Sequence, residues 1–148
     1  MKIILVFMLI FFSFQSLALS QKRGLGVMLG NPTGLNGKYW LKDNQAVDAG
    51  AGWSFGRHTN FSIHSDFLFH SKDALIFRDD YNLDLYYGLG GRMEFAGEIE
   101  LGVRLPIGVV HELEGVESDV FMELAPVWDF VSHQGLEIHI VLGSRYYF

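Results

Sequence analysis

The sequence predicts an all-β fold: an eight-stranded antiparallel up-and-down transmembrane β-barrel, with its apolar face turned outward to lipid. Three observations predict it. Apolar and polar residues alternate with a period of two along almost the whole chain from Arg23 onward, the spacing of strands with two unlike faces. Aromatics make up 15% of the chain and glycines number 17, against three prolines, a composition that favours strands and turns. The stretch Leu136 to Phe148 puts Leu136, Ile138, Ile140, Leu142, Tyr146 and Phe148 on one face and Glu137, His139, Gly143, Arg145 and Tyr147 on the other.

The elements follow in order. Leu25, Val27 and Leu29 alternate with Gly24, Gly26, Met28 and Gly30, and Asn31-Pro32-Thr33-Gly34 is a turn by its chemistry. Leu35, Tyr39 and Leu41 alternate with Asn36, Lys38 and Trp40, up to a turn at Lys42 to Gln45. Val47, Ala49, Ala51, Trp53 and Phe55 alternate with Asp48, Gly50, Gly52 and Ser54. Phe61, Ile63, Phe67 and Phe69 alternate with Ser62, His64, Asp66 and His70, and Ser71 to Tyr81 reads as the longest break between strands. A fifth strand covers Leu83 to Phe95, a sixth Glu98 to Val109, a seventh Asp119 to Phe130, and the last is the stretch above. Each is close to the roughly 9–11 residues that a tilted strand needs to cross a bilayer. Phe95-Ala96-Gly97 fits a three-residue hairpin loop, which would set Arg92 opposite Glu100 and Glu94 opposite Glu98, while Arg104 would reach Glu123 diagonally.

Alternation leaves open which face is inside. A soluble lipocalin-like barrel turns the apolar face inward around a ligand, and a membrane barrel turns it outward. The polar face mixes charges with Gly50, Gly52, Gly88, Gly90, Gly102, Gly108 and Gly143, which suits a crowded interior better than a solvated surface. Aromatics such as Trp53, Phe61, Phe69, Phe95, Trp128 and Tyr146 gather near strand ends, as in interfacial girdles.

Residues 1–20 carry Lys2, an apolar run and then Leu-Ala-Leu-Ser, the plan of a secretory signal peptide cleaved after Ser20. Residues 21–148 are then the barrel domain. Without the leader, Lys plus Arg falls from 11 to 10, Asp plus Glu stays at 17, and the charge moves from −6 to −7. That excludes nucleic acid as a partner. The chain has no Cys, so neither disulfides nor acylation at cysteine contribute.

The inward charges are the main chemical constellation: Lys38, Arg92, Arg104 and Arg145 facing Asp48, Asp66, Asp84, Glu94, Glu98, Glu100, Glu123 and Glu137. Buried charges require partners. The expectation is a lumen plugged by a network that includes Arg92, Glu94, Glu100, Arg104, Glu123 and Arg145. His64, Asp66 and His70 share one face, but ligands strung along one strand do not converge on a metal without help from neighbours. No catalytic, cofactor-binding or metal site is assigned. Pro106 and Pro126 fall inside neighbouring strands, where a pair of bulges is expected. The sharper alternative is a seam admitting an acyl chain beside Phe121, Ala125 and Val127, as in a lipid-modifying barrel enzyme.

The strand pattern and the closing Tyr146-Tyr147-Phe148 resemble the small eight-stranded outer-membrane barrels of the OmpX and OmpA-transmembrane-domain type. Gly26 to Gly34, Gly37-Lys38-Tyr39-Trp40 and Gly88 to Arg92 are similar to uncharacterised bacterial barrels of this length. The resemblance implies a monomer in the bacterial outer membrane, surrounded by lipid and lipopolysaccharide. It also implies insertion by the barrel-assembly machinery through the last strand, with Tyr146 and Phe148 as sorting signal. It implies a structural or envelope-associated role with no cofactor and no reaction. OmpX-type barrels extend long loops outward, and here nearly every connection is short.

Overall fold

The alternating stretches form nine strands in the computed structural model, which describes residues 22–55, 59–77, 81–132 and 135–148. The expected leader, residues 1–20, lies outside these. The strands are β1 (Arg23–Asn31), β2 (Thr33–Lys42), β3 (Gln45–Phe55), β4 (Thr59–Phe77), β5 (Tyr81–Ala96), β6 (Glu98–Arg104), β7 (Ile107–Glu112), β8 (Ser118–Asp129) and β9 (Gly135–Tyr147). All belong to one antiparallel sheet. β4 pairs with β5, and β9 returns to β1 with Leu25 opposite Tyr146 and Asn31 opposite Ile140, so the sheet closes into a ring.

β6 and β7 occupy a single place in that ring, between β5 and β8. Gly90 lies opposite Arg104 and Tyr87 opposite Ile107, while Arg104 lies opposite Val127 and Ile107 opposite Leu124. The spacing is the same on both sides of Leu105-Pro106, so no extra residue is inserted and the expected bulges do not form. Gly88 N–H donates to the Pro106 carbonyl (2.9 Å), and Leu105 N–H to the Pro126 carbonyl (3.0 Å). Each proline lacks the N–H that would return the bond. Two rungs are therefore missing from a ladder that otherwise keeps its register.

The expected break at Ser71 to Tyr81 does not hold over its described part, Ser71 to Phe77 and Tyr81, while residues 78–80 lie outside the described residues. β4 continues to Phe77 and pairs with β5 from Ser71↔Leu85 to Phe77↔Tyr81, with a register shift between Ser71 and Leu75. There Asp73 takes a positive φ of 52° and its N–H donates to Asp84 Oδ1 (2.8 Å). β3 begins only opposite Phe69, and β7 reaches β5 only as far as Asp84. The outer part of the β4–β5 hairpin is thus a two-stranded ribbon standing beyond the ring.

A third difference is at the β5–β6 hairpin. Gly97 alone connects the strands, at φ +85°, a value that L side chains rarely adopt. This tighter turn sets Ala96 opposite Glu98 and Glu94 opposite Glu100, and Arg92 faces Gly102.

The two faces separate cleanly. Leu136, Trp128 and Phe148 are 69%, 66% and 72% exposed, and the apolar rows of β1 and β9 point outward with them. Inside lie Arg104 and Arg145, each 1% exposed, with Lys38, Asp48, Asp66, Arg92, Asp119 and Glu123 also buried. Met28, Leu68, Tyr86, Val110, Phe121 and Val141 form the apolar part of the interior. An apolar ligand cavity of the lipocalin kind does not match this interior, because its walls carry the charges.

Candidate functional site

The charged interior is built by strand alternation: every second residue points inward, so each strand contributes charges at fixed intervals. Three arginines from three strands organise it. Arg92 on β5 contacts Glu94 (3.0 Å), Glu100 (3.7 Å), Asp129 (2.8 Å) and Glu137 (2.9 Å). Asn60 donates to Glu94 from the side (2.9 Å). Arg104 on β6 holds Asp66 through Nε (3.1 Å) and Glu123 through Nη2 (2.6 Å), and the Tyr86 hydroxyl donates to the other Glu123 oxygen (2.9 Å). Arg145 on β9 donates to Asp119 (3.0 Å) and Asp48 (2.9 Å), and its guanidinium lies 4.0 Å over the Phe121 ring. Tyr147 donates to the second Asp119 oxygen (2.6 Å).

These groups link across the ring. His139 stands between two of the arginines, with Nε2 3.0 Å from Arg92 Nη1 and Nδ1 3.3 Å from Arg104 Nη1. A neutral imidazole has one lone pair, so it accepts from only one of them at a time. Asn36 donates to both oxygens of Asp48 (2.9 and 3.0 Å) and accepts from Arg145 (3.1 Å).

All six residues expected in the network line or adjoin the interior, but not all in the expected pairs. Arg104 does meet Glu123. Arg92 reaches Glu100 diagonally rather than from directly opposite. Glu98 is exposed at the turn, and Asp84 is half-buried and serves the Asp73 amide. Asp119, Asp129 and His139 were legible as inward residues by alternation, yet their part in the network depends on which strands become neighbours. Tyr146 and Phe148 are both exposed on the apolar face.

The His64–Asp66–His70 grouping divides. His70 turns to Trp40 (ring centroids 4.4 Å) and Tyr86 (5.2 Å), and neither of its ring nitrogens has a hydrogen-bond partner among the described residues. Lys38 Nζ also lacks one and sits 4.4 Å over the Trp40 ring. His64 and Asp66 instead converge with Asp48, their ligand atoms all lying within 4.8 Å of one another. A hollow of about 310 Å³ opens at the end of the ring bearing the β7–β8 connection, lined in part by Lys22, Trp40, Glu117 and Tyr147.

Pro106 is buried, with the Arg104–Glu123–Tyr86 contacts close by, and Phe121, Ala125 and Val127 are buried along the same seam. In comparison with known proteins, the chain matches no family model, no curated protein and no solved structure.

Proposed function

We propose that this chain is an eight-stranded outer-membrane β-barrel with a plugged lumen and a structural or envelope-associated role, of the OmpX-like kind. The observation that carries the reading is the inverted distribution of polarity: rows of leucine, isoleucine and aromatic side chains outside, arginines and carboxylates inside. In water such a surface would be far larger than the apolar patches that monomeric proteins expose. In lipid it is the expected exterior, and the closed ring leaves few backbone groups to satisfy.

Two aromatic rows support the same reading. Trp53, Phe61 and Phe95 adjoin across three strands at one level, and Phe69 and Tyr87 at another. Phe61 and Phe69 are separated by roughly 26 Å of strand, about 20 Å after a tilt near 40°. That is comparable with the roughly 25 Å apolar band of such barrels.

Residues 1–20 would direct export, and the exposed Tyr146 and Phe148 would serve the assembly machinery. The salt-bridged interior speaks for a plug rather than a pore. It also speaks against an acyl-chain well beside the proline seam, since Arg104, Glu123 and Tyr86 occupy that region. The test is fractionation combined with gel mobility. The expected result is outer-membrane recovery and faster migration of unboiled than boiled protein. A chain that stays monomeric and folded in buffer without detergent would refute the reading.

A further inference from the structure

We infer that the interior contains a binding site for one divalent transition-metal ion, formed by Asp48, His64 and Asp66. Strand register creates it. Asp48 on β3 lies directly opposite Asp66 on β4, and both point inward. Like charges directly opposite are destabilising, so this pair needs positive charge between or around it. His64 lies two residues before Asp66 on the same face and is 8% exposed. Its Nε2 stands 3.7 Å from Asp48 Oδ1, longer than a hydrogen bond. Donors bound to one ion at about 2.0–2.2 Å lie roughly 3–3.5 Å apart, so the three groups need to close by about an ångström.

The surroundings are arranged as an outer shell. Asn36 and Arg145 orient Asp48, and Arg104 Nε bridges both oxygens of Asp66 (3.2 and 3.1 Å). When the ion binds, Asp66 keeps one oxygen on Arg104 and turns the other inward. Gly50 and Gly90 face His64 and Asp66 from neighbouring strands, and a Cβ at either would run into the imidazole or the carboxylate. The glycines therefore supply the room that the ligands occupy.

Charge balance is the independent argument. Among the described residues the buried carboxylates are Asp48, Asp66, Glu94, Asp119, Glu123 and Asp129. The buried basic side chains other than histidine are Lys38, Arg92, Arg104 and Arg145, of which Arg92 also reaches the less buried Glu100 and Glu137. With all of these ionised, the fully buried groups differ by two negative charges, which one divalent ion offsets. An imidazole beside two carboxylates suits zinc, iron or cobalt, whereas calcium and magnesium call for oxygen donors.

The inference holds whether or not the ring sits in a membrane. It is tested on the untagged, folded, metal-depleted chain titrated with Co²⁺ and then Zn²⁺. The expected result is one equivalent bound, with visible ligand-field bands that one equivalent of Zn²⁺ removes. His64→Ala should abolish the bands, Asn36→Ala should weaken binding about 10- to 100-fold, and His70→Ala should change nothing. Absence of bands in the unaltered protein, or full bands in His64→Ala, overturns the proposal. If His64→Ala does not fold, the decision falls to the ring protons of the unaltered Co²⁺ protein. A shifted His64 ring supports the site, and a shift confined to another histidine overturns it.

Discussion

Arg104 shows what a single inward charge does in this molecule. Its guanidinium serves Asp66 and Glu123 at once, and all three side chains are buried. Replacing it with Met would leave two carboxylates unpaired where water is scarce. Removing one partner of a buried pair costs about 3–5 kcal/mol. The Arg104→Met protein should therefore lose stability on that scale in urea unfolding from detergent or bilayer. The matched control is Lys22→Met, whose partner Glu117 is exposed and 3.6 Å away; surface pairs are worth about 1 kcal/mol or less. Equal losses in the two variants would show that the interior is hydrated enough to screen its charges. Which residues face inward was readable from the sequence, since period-two alternation needs only local spacing. The convergence of Asp48 with His64 and Asp66 was not, because it depends on how β3 is aligned with β4. That alignment sets Asp48 against Asp66.

At the scale of elements, two features separate register from pattern. Pro106 interrupts β6 and β7 without shifting the ladder, so Pro106→Ala should restore one N–H aimed at the Gly88 carbonyl. Hydrogen exchange would then find that new amide as protected as its neighbours; rapid exchange there would mean that the strand bends away at the junction. The second feature is the ribbon of β4 and β5 beyond the ring. Lys72 lies on it, exposed and within the register shift, between the pairs Ser71↔Leu85 and Leu75↔Leu83. Trypsin should cut the folded protein at Lys72 well before Lys38, Arg92, Arg104 or Arg145, as peptide mapping of a brief digest would reveal. The sequence made this region look like a loop because Ser71-Lys72-Asp73 breaks the alternation. The irregularity is real, but it is a register shift inside a hairpin and not the end of the strands. The misread β5–β6 pairing has a similar cause: a glycine at positive φ permits a shorter turn than the loop length suggested, moving the partner of Glu94 by two residues.

For the whole molecule, the outer surface decides between solvents. Leu142 points outward on β9, with Leu29 and Met122 beside it on the adjoining strands. Leu142→Arg should lower folding free energy in bilayers by about 2–4 kcal/mol, the cost of a cation near the membrane midplane. An unchanged or improved stability would fit a surface that meets water instead.

The β1–β9 pairing carries a kinetic consequence. With β6 and β7 taken as the one place they fill, every other seam joins strands that follow each other along the chain, whereas Leu25 and Tyr146 are about 120 residues apart. Bringing such distant segments together costs about 2 kcal/mol more entropy than closing a loop a tenth as long. The hairpins can therefore zip in sequence as an open, curling sheet, and the ring is completed by one late and costly event. Substitutions within the β1–β9 seam should chiefly accelerate unfolding and leave the folding rate almost unaltered, since contacts absent from the transition state act on the unfolding step.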